Sequence, residues 1–134
     1  MLGLFSQPGY CAEPETPIFV ATNSKFGANP QSIVILRAIL LGRSKQSPTG
    51  SRITLILPES REQRMLIFDK VGISEWQVEA SWGRDNFAEG GKIHLSDPAG
   101  GLHAVESDAG AFYVMTVKPS IPTPANVRIN EVTQ

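Results

Sequence analysis

The chain has 134 residues, of which 12 are glycine and 10 proline, and its 12 Lys and Arg stand against 13 Asp and Glu. A length of this order bounds it to one domain with a real core, and the charge balance excludes a dedicated nucleic-acid binder, which needs clustered excess Lys and Arg. One cysteine, Cys11, leaves no partner for an intramolecular disulfide, and no stretch approaches the roughly 20 apolar residues of a membrane span.

Met1 to Pro17 holds Pro8, Gly9, Pro14 and Pro17 among scattered apolar residues. It reads as an extended arm, because proline blocks helix continuation and removes a ladder donor. Its apolar piece is short, and no basic residue precedes it, unlike a signal peptide. Pro8-Gly9-Tyr10 before Cys11 also lacks the small residues of a lipidation site.

Ile18–Thr22 predicts a short strand, and Asn23–Pro30 is turn chemistry. Gln31–Gly42, QSIVILRAILLG, is the longest apolar run and carries one charge, Arg37. Such a run fits a strand buried on both faces or a short buried helix; its β-branched opening, Ile33-Val34-Ile35, favours the strand. Gly42–Ser51 is a polar loop holding Arg43 and Lys45, without the Gly-Lys-Ser/Thr ending of a phosphate-binding loop. A strand at Arg52–Leu57 follows it.

Ser60 and Gln63 have the spacing of a capping box that opens one helical turn. Met65–Phe68 then predicts another strand, with a helix as the alternative. Glu75–Trp82 alternates Trp76, Val78, Ala80 and Trp82 with Glu75, Gln77, Glu79 and Ser81, the pattern of a strand with one wet and one dry face. Lys92–Leu95, Leu102–Glu106 and Ala111–Lys118 complete the central set, the last two flanking the hairpin signal Ser107-Asp108-Ala109-Gly110. Pro119, Pro122 and Pro124 stiffen a connection to Asn126–Val132, an edge or donated strand.

About eight or nine candidate strands at this spacing predict an all-β fold, an antiparallel sandwich or barrel of jelly-roll type. The expected organisation is an arm over 1–17, a β domain over 18–118, and a proline-rich connection with a terminal strand over 119–134. No repeat or second domain emerges.

Little in the chain points to chemistry. Glu75 and Glu79 on one strand face would stand about 13 Å apart, wider than the roughly 5–9.5 Å of glycosidase carboxylate pairs. His94 and His103 lack the spacing that brings two metal ligands together, and no nucleophile elbow is present. No catalytic residue, metal ligand or cofactor is therefore expected. Trp76 and Trp82 on one strand face would form a sugar-stacking platform if that face were exposed, which makes a carbohydrate-binding sandwich the alternative reading.

In layout, the arm Met1–Pro17, the stretch LHAVESDAGAFYVMTVKP and the tail PSIPTPANVRINEV resemble the small β-structured head decoration (cement) and other virion proteins of tailed phages. That resemblance implies a non-enzymatic structural role in the virion, with surfaces buried against neighbouring capsid subunits and other copies. Leu2, Leu4, Phe5, Tyr10 and Ile121 would be its apolar anchors, and Arg43, Lys45 and Arg52 its rim charges. It implies neither a nucleic-acid nor a membrane partner.

Overall fold

The structure, a computed structural model, describes residues 16–27, 32–83 and 93–133. Its centre is a single five-stranded mixed sheet built from β1 (Phe19–Asn23), β2 (Thr54–Pro58), β3 (Ile93–Ser96), β4 (Ala111–Met115) and β5 (Val127–Glu131). The strand order is β3-β2-β4-β1-β5. β2 runs parallel to both β3 and β4, whereas β1 is antiparallel to β4 and β5. Among the described residues four α-helices accompany it: α1 (Ile33–Leu40), α2 (Arg61–Val71), α3 (Glu75–Gly83) and α4 (Pro98–Ser107). The all-β sandwich or barrel expected from the sequence is thus overturned. Parallel strands need crossovers, and here helices supply them, α2 and α3 between β2 and β3, and α4 between β3 and β4.

Alternation along the strands sorts the core into two layers. Leu55, Leu57, Phe112, Val114 and Val20 face one side and pack with α1, α2 and α3 through Leu36, Leu40, Ile67, Phe68, Val78 and Trp82. Ile56, Ala111, Tyr113, Met115 and Ala21 face the other and pack with α4 through Leu102 and Val105. The sheet is therefore covered on both faces, as parallel strands require.

Each helix covers a segment where the sequence favoured a strand, and the burial pattern shows why in α1. In α1, Leu36, Ile39 and Leu40 are buried while Val34 and Ile35 face outward, a spacing of three and four that only a helix produces. The β-branched preference of residues 33–35 amounts to tenths of a kcal/mol per residue, and burial of the opposite side overrides it. The Ser32 side chain caps the helix by accepting from the Val34 N–H (3.1 Å), and the Ile33 N–H donates to the Thr133 carbonyl (2.8 Å), so the C-terminal tail anchors its first turn.

In α2 the expected single turn from Ser60 becomes an 11-residue helix. Ser60 accepts from the Gln63 N–H at 3.4 Å, and Gly72 ends it in the left-handed conformation at φ 84°. The alternating tryptophan segment is helix α3, with Val78 and Trp82 one turn apart facing inward. Leu102–Glu106 lies in α4, so the hairpin expected around Ser107–Gly110 is instead a helix-to-strand turn. There Asp108 accepts from the Gly110 N–H (2.9 Å) and from the Thr54 hydroxyl (2.9 Å).

Side chains from neighbouring elements satisfy the ends of these short helices. Arg37 of α1 donates twice to the Val71 carbonyl at the end of α2 (3.0 and 2.7 Å). The Trp82 indole of α3 donates to the Ile39 and Leu40 carbonyls of α1 (3.1 and 3.2 Å), and Lys45 donates to Ser81 O in α3 (2.9 Å). Asn23, at the end of β1, donates to Val105 O and Glu106 O of α4 (2.9 and 3.2 Å). Among the described residues no helix is long and apolar enough to cross a membrane.

Candidate functional site

β2 and β3 are adjacent and parallel, yet β2 continues into α2 on one face and β3 into α4 on the other. The carboxyl ends of such strands are where open α/β sheets place their ligands. Here the polar groups at that point already serve the fold. The Glu59 N–H extends the ladder to Ser96 O (3.0 Å), Asp97 accepts from the Gly100 N–H at the start of α4 (2.8 Å), and Arg64 donates to Pro58 O and Glu59 O (both 2.9 Å).

Beneath the first turn of α4 lies Tyr113, which is buried. Its phenol is pushed up to about 12, first by burial and then by the negative charges of Asp97 and Glu59. It is a proton holder at neutral pH. Gly101 allows this packing, since a methyl group there would sit 2.6 Å from the Tyr113 Cδ2 and Cζ atoms.

Next to this end, on the three-helix face, a cleft of about 260 Å³ opens between α2, α3 and the edge strand β3. Its floor is apolar, made by Leu57, Phe68, Val78, Ile93 and Leu95, and Arg64, Glu75 and Glu79 form its rim. Glu75 is held by Arg61 at 3.3 Å, and Arg64 is committed to the backbone at the end of β2. The cleft therefore suits apolar groups more than an anion.

The sequence reading cast Glu75 and Glu79 as a solvated strand pair. The helix instead sets them one turn, about 6 Å of rise, apart on the same cleft wall. Leu57, Phe68, Val78 and Ile93 read from sequence as plain core, and only tertiary packing groups them around a cleft, which no local signal carries.

Arg43, Lys45 and Arg52 do come together, around an open polar hollow of about 640 Å³ that also includes Ser44, Gln46 and Ser47. Lys45 is already engaged there, bonded to Ser81 O and lying 5.3 Å over the Trp82 ring. Ile121 is exposed on the segment between β4 and β5. Leu2, Leu4, Phe5, Tyr10 and Cys11 lie outside the described residues.

The two tryptophans do not form a platform. Trp82 is 0 % exposed and part of the core, whereas Trp76, on another side of α3, is 69 % exposed. The helical turn separates what strand alternation would have aligned, and the carbohydrate reading loses its basis. His94 on β3 and His103 on α4 are both exposed, and His103 stands 4.0 Å from Glu106. Among the described residues no three His, Cys, Asp or Glu gather in a metal-binding arrangement.

No family model, curated protein or solved structure matches this chain.

Proposed function

We propose that this chain is a non-enzymatic structural protein that joins copies of itself and neighbouring subunits of a larger particle, as a decoration or other component of a virion shell. The mixed α/β fold removes the β-structured part of the resemblance to phage cement proteins. What supports the reading is the surface. Val34 and Ile35 stand side by side on the outer side of α1 at 66 % and 49 % exposure, where a lone helical domain would place polar residues. Among the described residues β3 and β5 are also the outermost strands of the sheet, and outer strands are where a neighbouring chain can add to a sheet.

The test is sedimentation equilibrium of the whole chain over a concentration series, beside the double variant Val34→Glu, Ile35→Lys. Concentration-dependent association that the variant weakens at least tenfold is the expected result, equivalent to about 1.4 kcal/mol of lost apolar burial. A chain that stays monomeric at several hundred micromolar would overturn the reading.

A further inference from the structure

We infer that β5 and the tail behind it, residues 127–133, are exchanged between two copies of this chain, each β5 pairing with β1 of the other copy and residues 116–126 serving as the hinge. The inference rests on the assembly reading above and names its fastener.

The hinge differs from the other crossings of the sheet. β4 and β5 both run antiparallel to β1 and lie on either side of it, so they are parallel to each other. The chain must therefore return from the end of β4 to the opposite end of the sheet before β5 can start. Helices packed on the sheet carry the chain from β2 to β3 and from β3 to β4. Residues 116–126 form neither helix nor strand, and 117–125 are exposed apart from the half-buried Pro119 and Pro124. With Pro122, these prolines fix φ and hold the segment extended.

This connection is longer than the crossing needs. Met115 stands opposite Phe19 and Val127 opposite Asn23, at the two ends of β1. The gap between them is about 17 Å, taking ~3.4 Å per residue along β1 and ~4.8 Å for each of two strand spacings. In polyproline form the same connection spans about 37 Å at ~3.1 Å per residue. Within one chain a stiff segment is bent to about half its reach, whereas straightening it carries β5 clear of its own sheet.

The seat that β5 fills is specific. Val127 is buried in the layer under α4 and Val132 in the three-helix layer. The Val132 N–H donates to Ile18 O, the Ser24 N–H to Asn126 O and the Ile33 N–H to Thr133 O, each at 2.8 Å. An opened chain exposes both layers and loses all three bonds, and an identical strand from a second copy restores every one in the same register. Reciprocal exchange closes a two-fold dimer. The seat ends on the first turn of α1, the turn that carries Val34 and Ile35, so strand and apolar pair meet the same neighbour.

The experiment uses the full chain with Cys11→Ser, Phe19→Cys and Glu131→Cys. The bond from the Val132 N–H to Ile18 O makes Phe19 and Glu131 a non-hydrogen-bonded pair, with Cα atoms about 4.5 Å apart and within disulfide reach. Chains at an associating concentration are oxidised mildly, denatured and sized without reductant. A linked dimer is expected, in proportion to the associated fraction found by sedimentation. Associated chains that hold the bond internally overturn the exchange and leave the assembly reading standing, while chains that sediment as monomers overturn both. A folded chain that forms no bond, or equal linkage by Glu131→Cys without the second cysteine, also counts against exchange. A second variant leaves the core untouched: Pro119→Gly with Pro122→Gly and Pro124→Gly softens the hinge and lets β5 close on its own sheet. Association should weaken about tenfold. An unchanged association constant would refute the exchange.

Discussion

Gly101→Ala sets two effects of opposite sign against each other. In an unobstructed helix interior the change stabilises by about 1 kcal/mol, since glycine costs that much relative to alanine. In α4 the new methyl would press into the Tyr113 ring, with Cδ2 and Cζ at 2.6 Å. Tyr113 has no room to yield, because Ile56, Ala111, Met115, Leu102 and Val105 surround it in one buried cluster. The helix must lift, and overpacking of this kind costs on the order of 1–3 kcal/mol before the lost burial of Leu102 and Val105 is added. A net loss of about 2 kcal/mol is expected, a fall in Tm of roughly 4–8 °C for a chain of this size. Urea unfolding followed by tryptophan emission measures it. Tyr113→Val alone should cost about 3 kcal/mol through the cavity it leaves, but combined with Gly101→Ala the losses should fall short of their sum by about 1 kcal/mol or more. A Gly101→Ala chain as stable as the parent, or more so, would refute the close seating of α4 on the sheet.

Other consequences follow from individual contacts. Trp82→Phe should destabilise by about 2–3 kcal/mol in equilibrium unfolding, because it leaves the Ile39 and Leu40 carbonyls without their indole donor and thins the core. Single-tryptophan variants should differ sharply in acrylamide quenching, with Trp82 protected and Trp76 open, and equal quenching would contradict the helix α3. In a Tyr10→Phe background, absorbance at about 295 nm should show Tyr113 ionising near pH 12 and not near its ordinary 10. The folded chain then keeps a proton that the unfolded chain sheds between pH 10 and 12. That part of the stability is complete below pH 10 and declines toward pH 12, and Tyr113→Phe should flatten the decline.

Each strand of the sheet was legible in the sequence to within a few residues at its ends. Ile18–Thr22, Arg52–Leu57, Lys92–Leu95, Ala111–Lys118 and Asn126–Val132 correspond to β1 through β5, and Ser60 with Gln63 marked the true start of α2. These signals are local: β-branched runs between turn residues, and a cap that needs only its own next turn. The central parts of the helices were read as strands, with a helix kept as the alternative at Gln31–Gly42 and Met65–Phe68, because an apolar stretch of a few residues has nearly the same appearance in both states. Which of Val34, Ile35, Leu36 and Ile39 turns inward depends on what stands against α1, and against it stand α2 and α3, distant in sequence. The same holds for the cleft. Leu57, Phe68, Val78, Ile93 and Leu95 come from four elements, and only the order β3-β2-β4-β1-β5, with helices carrying the chain across the sheet, brings them together. Local chemistry therefore determined where the strands lie, while the faces they present, and the cleft between them, were decided by burial between residues far apart in the chain.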